Sequence, residues 1–276
     1  MKTKLIVAVV VLVVLATGAW AQGTGMYSPR AAGMGGAAIG VADDAAAWFQ
    51  NPAGLAALSV PAKEGVDYGN DALFAFADND NQSAWELSWS GWKPADSMGF
   101  GAGFGDAEGL GSAFGAGFGI GLKETPLSAG VNIMAVNPDF GSAMTVVNAG
   151  GMYRLGMGEG KAPLRVGLSI IDITDEMGGP YWNVGIGWKA TSDLLIAVDA
   201  VDLSDETGLG VQVGGGVELA LGAQKSWRLR AGVSDDGVDT NYSAGLGYQA
   251  KQWRADFAYV DTDPDATWSI GIGVNL

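Results

Sequence analysis

Apolar side chains alternate with polar or missing ones at almost every second position from about residue 64 to the C-terminus. The segment Trp182–Trp188, for example, reads WNVGIGW, and the segment Trp227–Val233 reads WRLRAGV. Successive side chains of a β-strand point to opposite faces, so this period predicts strands with one apolar face and one polar or empty face. The pattern restricts this part of the chain to an all-β fold.

Turn residues divide this region into about 14 strands. A tilted strand needs about 9–11 residues to cross a bilayer, and bacterial single-chain barrels have an even number of strands. The sequence therefore predicts a transmembrane antiparallel β-barrel over residues 63–276. The predicted strands are 64–76, 83–92, 98–105, 112–123, 127–136, 143–155, 163–171, 181–190, 194–201, 209–221, 226–234, 241–249, 253–260 and 267–275.

The connections between these strands separate by charge. Connections after odd-numbered strands, such as DITDEMGG at 172–179 and DLSDETG at 202–208, contain acids and neither lysine nor arginine. Because both termini of an even-stranded barrel lie on one side, we expect the acidic loops outside and the lysine-bearing connections in the periplasm. The lysines of the even-numbered connections are Lys93, Lys123, Lys161, Lys189, Lys225 and Lys251.

Aromatic residues mark both ends of the predicted strands. Two aromatic girdles around an apolar band are typical of outer-membrane barrels, whereas a soluble β-sandwich, the alternative alternating fold, has no need of them. We therefore favour the barrel. The aromatics near the lysine-bearing turns are Trp89, Tyr153, Trp188, Trp227, Tyr248 and Trp253, and those near the acidic loops are Trp85, Phe104, Trp182, Tyr242, Tyr259 and Trp268.

The N-terminus has the pattern of a secretory signal peptide. Lys2 and Lys4 precede a short apolar run, and Ala19–Ala21 reads AWA, so residues 1–21 are predicted to be cleaved on export. An uncleaved inner-membrane anchor is the alternative, but the apolar run is shorter than the roughly 20 residues of a spanning helix. Together with a last strand that resembles a barrel-assembly signal, this predicts an outer-membrane location in a diderm bacterium, with membrane lipid and the barrel-assembly machinery as partners.

Charge and composition exclude several functions. The net charge of −15 would become −17 without Lys2 and Lys4, and no basic patch indicates a nucleic-acid partner. The chain has neither cysteine nor histidine, which removes disulfides, serine–histidine triads and the common zinc sites. We expect no enzymatic activity, cofactor or metal.

Residues 22–62 remain outside the predicted barrel and are rich in small residues. The luminal positions of the strands are largely Gly, Ser and Ala, so the interior has space that strand side chains do not fill. We therefore predict that residues 22–62 fold into the lumen as a plug.

The segment Arg30–Leu55 (RAAGMGGAAIGVADDAAAWFQNPAGL) resembles the N-terminal signature of the FadL-like superfamily of outer-membrane long-chain fatty acid transporters. This resemblance implies a 14-stranded barrel with an N-terminal hatch that carries hydrophobic molecules. The superfamily also includes short PorV/PorQ-type barrels of secretion systems, and the loops of this chain are short. The matching residues are Arg30, Gly33, Gly35, Gly36, Asp43, Asp44, Asn51, Pro52 and Gly54, within a match that also takes in Ala42, Ala53 and Leu55.

These observations predict an outer-membrane barrel that transports hydrophobic, fatty-acid-like small molecules. Two alternatives stay open: a non-transporting scaffold that holds a secretion-system or surface protein, and a general porin. A continuous apolar pocket between plug and wall would favour transport, whereas a fully packed lumen would favour a scaffold.

The period of two also predicts which charged residues face the lumen. They could hold a ligand carboxylate, since arginine pairs well with carboxylates, or they could pair with each other and with plug acids, since unpaired charge in a narrow lumen is costly. We favour the second interpretation. The predicted luminal cations are Lys123, Arg154, Arg165, Lys189, Arg228, Arg230 and Arg254, opposed by Glu86, Glu218 and Asp256.

Overall fold

The computed structural model describes residues 28–57, 69–79, 82–93, 97–122, 125–155, 164–206, 208, 210–235, 239–262 and 265–275. Fourteen antiparallel strands form a closed barrel in which each strand pairs with its neighbours in sequence and β1 pairs with β14. The strands are β1 Gly69–Asp78, β2 Ser83–Lys93, β3 Met98–Ala107, β4 Gly111–Gly121, β5 Leu127–Pro138, β6 Met144–Leu155, β7 Leu164–Ile171, β8 Tyr181–Trp188, β9 Leu194–Val201, β10 Gln212–Leu221, β11 Trp227–Asp235, β12 Thr240–Gln249, β13 Trp253–Asp261 and β14 Thr267–Asn275.

The predicted fold class and the predicted number of strands are confirmed. The predicted strand bounds on described residues agree with the structure to within two residues, except at the start of the tenth strand. The first strand begins at Gly69 and continues to Asp78, and residues 64–68 of the predicted strand lie outside the described residues. The tenth begins at Gln212, not at 209, because the chain still turns at Gly210, which has φ 81°.

The outer face of the barrel is apolar. Large side chains such as Leu87, Val131 and Ile272 are more than half exposed on the outward side of their strands. Aromatic contacts lie near both ends: Trp227 and Tyr248 have ring centroids 4.9 Å apart near the lysine-bearing turns. An exposed apolar surface that encircles a barrel is suited to lipid, not to water. Within the described residues, no helix has the length and apolar character to cross a membrane.

Residues 28–57, here called the plug segment, lie inside the barrel. They contain three short helices, α1 Pro29–Ala32, α2 Ala47–Gln50 and α3 Gly54–Ala57. Trp48 at the centre of α2 is fully buried, and its indole N–H donates to the Ser88 hydroxyl of β2 at 3.1 Å. The predicted plug ends, residues 22–27 and 58–62, lie outside the described residues.

Residues 29–40 of the plug segment follow the inner wall in the reverse of strand order, and Ala45 and Trp48 then contact β1 and β2. The plug segment contacts β14 near Pro29, β12 near Gly33 and β8 near Gly40. It then reaches β5 at Pro52 and β3 at Leu55. The plug segment therefore touches strands on every side of the lumen.

Glycines of the wall make this close approach feasible. A Cβ built on Gly130 would lie 2.3 Å from the carbonyl carbon of Pro52, and one on Gly167 would lie 2.3 Å from the Ile39 oxygen. A side chain at either position would occupy the space of the plug backbone. The frequent luminal glycines thus have a packing reason, since they form the surface on which the plug rests.

Neighbouring glycines of β6 test this explanation. Gly150 faces the plug, and a Cβ on it would lie 2.1 Å from the Asn51 side-chain oxygen, whereas Gly151 faces outward with nothing within 4 Å. We expect Gly150→Ala to destabilise the seated plug by about 1–3 kcal/mol, the usual cost of overpacking. Gly151→Ala should have little effect. Hydrogen–deuterium exchange of residues 45–57 measures the plug, and heat-modifiable gel mobility measures the barrel; equal exchange in the two variants would contradict the explanation.

Candidate functional site

An ion-pair network links the plug segment to the barrel wall near the lysine-bearing turns. Arg30 of α1 lies at its centre: its Nη1 is 2.5 Å from Oδ1 of Asp43, and its Nε is 3.0 Å from Oε2 of Glu218 on β10. Arg30 therefore joins two parts of the plug to each other and to the wall.

Arg165 holds the other side of Asp43. Its Nη1 lies 3.1 Å from Oδ2 of Asp43 and donates to the Val41 carbonyl at 2.8 Å. One carboxylate is thus shared by a plug arginine and a wall arginine. We call the three residues Arg30, Asp43 and Arg165 the plug latch.

The surrounding acids and arginines of the wall are also paired. Nε of Arg230 lies 2.8 Å from Oε2 of Glu218, and its Nη1 lies 2.7 Å from Oδ1 of Asp256. Nη1 of Arg254 lies 2.7 Å from Oδ1 of Asp71. Charges that are buried this deeply need such partners, since an unpaired one carries a large desolvation cost.

Asp44 serves the plug itself. Its Oδ1 accepts the Ala46 N–H at 3.0 Å, and its Oδ2 lies 3.9 Å from Arg30. Asp71 of β1 accepts the next plug amide, that of Ala45, at 2.7 Å. Carboxylates therefore accept the N–H groups of the two residues that precede α2.

The latch shifts the pKa of its own groups. Burial by itself would raise the pKa of Asp43, but the positive charges of Arg30 and Arg165 lower it to about 2. Burial by itself would lower the pKa of Arg30, but Glu218, Asp43 and Asp44 raise it well above its ordinary value. Asp43 is therefore ionised throughout the physiological range.

Two further wall contacts hold the plug backbone. Oδ2 of Asp199 on β9 accepts the N–H groups of Ala38 and Ile39 at 2.6 and 2.7 Å. The Ser243 hydroxyl accepts the Gly35 N–H at 3.0 Å. The sequence analysis missed Asp199 and Asp71; their signal was an acid at a lumen-facing position of a strand.

The Asn-Pro turn of the signature lies in the centre of the plug. The Asn51 side chain is fully buried, donates to the Ile39 carbonyl at 3.0 Å and accepts the Ala53 N–H at 3.2 Å. It therefore holds the two halves of the plug segment together. Pro52 packs directly on the wall at Gly130.

The signature glycines meet backbone constraints. Gly35 and Gly36 have φ 67° and 78°, a region that favours glycine. A Cβ on Gly54 would lie 2.2 Å from the Ala42 carbonyl, and one on Gly33 would lie 3.1 Å from the Cα of Gly245. All four glycines thus lie where the plug turns or touches a neighbouring backbone.

The predicted luminal cations differ in their surroundings. Arg165, Arg228, Arg230 and Arg254 contact acids in or beside the plug, with Arg228 at 3.8 Å from Glu218. Arg154 is buried beside Arg165, its cross-strand partner, and no acid of the described residues contacts it. Lys189 lines a cavity and has no ion pair among those residues. Lys123 lies outside them.

A polar cavity of about 340 Å³ opens beside the latch. Its lining includes Arg30, Asp43, Arg165, Arg228 and Arg254. All of these strand positions lie near the lysine-bearing turns, so the cavity lies at that end of the lumen.

At the opposite end of the lumen the wall is apolar along β3 to β7, whereas Gln212, Ser234 and Asn241 make it polar along β10 to β12. Pairing registers place Ala113, Val136 and Met144 on the luminal face, where each is partly exposed. Val136 also packs against the buried cluster that contains Trp48 and Phe49 of the plug. Small and apolar side chains therefore lead from the acidic-loop end to the plug. Other partly exposed luminal residues of this end are Ala107, Ile171, Val201 and Val260.

No protein-family model and no curated protein sequence matches the chain. Solved structures resemble it in fold. The outer membrane protein Omp33 of Acinetobacter baumannii is 9% identical, over 77% of this chain and 100% of that one, with a TM-score of 0.55. The toluene transporter TbuX of Ralstonia pickettii is 12% identical, over 90% of this chain and 97% of that one, with a TM-score of 0.56. The chain thus has the fold of an outer-membrane β-barrel.

Removal of the latch charge should loosen the plug. In Asp43→Asn the contacts with Arg30 and Arg165 lose their ionic character, and we expect a loss of about 1–3 kcal/mol, because the pair is partly exposed. The Asp43→Asn/Asp44→Asn double variant should have a higher single-channel conductance than the parent and unchanged heat-modifiable gel mobility. If the double variant has the same conductance as the parent, the Asn-Pro turn and glycine packing, not charge, hold the plug in place.

A low pH should loosen the plug as Asp43→Asn does. The folded pKa of Asp43, about 2, lies below its ordinary value of 3.8, so its contribution to stability is complete above the ordinary value. The contribution is lost as the pH falls through the folded pKa. We expect plug exchange, corrected for intrinsic rates, to be constant from about pH 7 to 5 and to increase between about pH 4 and 2. Asp43→Asn should remove this part of the acid response; a response of the same size in the variant would assign it to another group.

Proposed function

We propose that this protein is an outer-membrane transporter of the FadL-like type that passes hydrophobic, fatty-acid-like molecules through a plugged lumen. Its export by residues 1–21 and its location in the outer membrane are parts of the same proposal. The observation that carries it is the polarity of the interior: an apolar part of the wall, along β3 to β7, leads to the plug from one end, and a charged latch holds the plug at the other.

This arrangement suits an apolar ligand that enters on the acidic-loop side. Val136 and Met144 offer such a ligand a surface without charge, and the ligand would then meet Trp48 and Phe49 of the plug. Because wall and plug backbones touch at many glycines, passage requires the plug to move. Ion pairs and hydrogen bonds are contacts that can break and form again without loss of the barrel.

Both the sequence resemblance to fatty acid transporters and the similar fold of TbuX support this proposal. The signature from Arg30 to Leu55 resembles that of fatty acid transporters, and TbuX, of similar fold, is named a toluene transporter. That signature contains Arg30 and Asp43 of the latch and Asn51 and Pro52 of the Asn-Pro turn.

A scaffold that binds a partner protein is the second candidate, and the close packing of the plug favours it. At luminal glycines such as Gly99, Gly130 and Gly167, a single added carbon would collide with the plug, so the two surfaces leave no gap at those points. A scaffold of this kind would keep its plug seated and transport nothing.

Uptake of a labelled long-chain fatty acid by cells that carry or lack the protein, together with liposome swelling in sugars, tests the proposal. We expect saturable fatty-acid uptake and little swelling. Val136→Asp places a charge on the apolar route and should reduce uptake at least tenfold, whereas Val136→Ala keeps the route apolar and should retain it. Strong swelling would indicate a porin, and absence of both signals would favour the scaffold.

A further inference from the structure

A chain of hydrogen-bonded amides connects an acidic loop to the plug. The backbone N–H of Asp172, the first residue of the β7–β8 loop, donates to Oδ1 of Asn148 on β6 at 2.7 Å. Nδ2 of Asn148 donates to Oδ1 of Asn132 on β5 at 2.8 Å. Nδ2 of Asn132 donates to the Trp48 carbonyl of α2 at 2.6 Å. Three bonds thus cover the distance from the loop to the plug.

The chain is buried over its whole length. Asn132, Asn148, Asp172 and Trp48 are each at most 2% exposed, so water does not replace a broken bond. Every donor is oriented from the loop toward the plug, so the amide dipoles align and polarise one another. If the loop moves, the amide of Asn148 loses the partner that orients it, and the amide of Asn132 loses its own in turn.

The loop end of the chain has a defined conformation. Both carboxylate oxygens of Asp172 accept backbone N–H groups of its own loop: Glu176 at 3.0 Å, Met177 at 2.6 Å and Gly179 at 3.2 Å. Burial by itself would raise the pKa of Asp172, but these hydrogen bonds and that of Thr174 lower it. One residue therefore shapes the loop with its side chain and starts the chain of amides with its N–H.

The next acidic loop repeats this construction, but among the described residues its hydrogen bonds lead to Ser169 and not to the plug. The sequence DITDE at 172–176 recurs as DLSDE at 202–206, and Asp202 at φ 54° corresponds to Asp172 at φ 58°. The Asp202 N–H donates to Oδ1 of Asn183 at 2.8 Å, but Nδ2 of Asn183 donates to the Ser169 hydroxyl at 3.4 Å. The second loop is thus an internal control.

We propose that the β7–β8 loop regulates the plug, and that an event which opens this loop at the acidic end releases α2 through Asn148 and Asn132. The inference rests on the proposed function in treating the plug as a movable gate. Its test therefore measures plug opening directly and does not depend on transport. The β9–β10 loop has no such effect.

Hydrogen–deuterium exchange of the full-length protein in lipid bilayers tests the proposal. Asp172→Asn weakens the loop that starts the chain of amides, and Asp202→Asn weakens its counterpart. We expect Asp172→Asn to accelerate exchange of residues 45–57 about tenfold and Asp202→Asn to change it less than twofold. Exchange within residues 172–179 and 202–208 reports whether each loop has opened.

Severing the chain of amides in the wall completes the test. Asn132→Leu should accelerate plug exchange by itself, and Asp172→Asn should add nothing further in that background, since coupled residues are not additive. If Asn132→Leu does not assemble, Asn148→Leu provides the same test. Thr174→Val and Ser204→Ala are milder substitutions in the two loops and can replace Asp172→Asn and Asp202→Asn. Plug exchange at the parent rate in Asp172→Asn, equal acceleration in Asp202→Asn, or full additivity with Asn132→Leu would overturn the proposal.

Discussion

The structure depends on one constraint: a plug with little regular structure of its own must satisfy its backbone polar groups inside a narrow lumen. Its three helices have four residues each; turns within the plug satisfy many of its N–H groups, and the remaining groups need partners on the wall. Wall side chains provide several of them, including Asp199 for Ala38 and Ile39 and Asn132 for Trp48. These contacts require close approach, and the wall glycines allow it. The hydrogen bonds between wall and plug and the high glycine content of the wall therefore have the same cause.

Charge acts on this arrangement locally. The acids and arginines at the latch pair with each other across the boundary between plug and wall, as Arg30 does with Asp43 and Glu218. Such pairs are specific in geometry, and they exchange partners more readily than packed apolar side chains do. A latch of this type holds the plug while it leaves the barrel independent of the plug's position.

The strands were predictable because a wall between lipid and lumen imposes the period of two on every strand. The luminal arginines were predictable for the same reason. Arg30 was assigned only to the signature, because the sequence does not show that it meets Glu218, a residue 188 positions away. Asp71 was missed because Gly65, Asp67 and Asn70 made the first strand indistinct. Asn132 and Asn148 were missed because uncharged luminal amides have no pattern that distinguishes them from small polar residues of the wall.

The reverse path of residues 29–40 has a consequence for the order of assembly. The segment synthesised first ends up beside the strands synthesised last, as the bond between Gly35 and Ser243 shows. Contacts of such long sequence separation form late, because the intervening chain must be ordered first. The plug therefore has no complete binding surface until β1 and β14 have paired. A seated plug indicates that the barrel has closed. A barrel left open at that seam would remain unplugged.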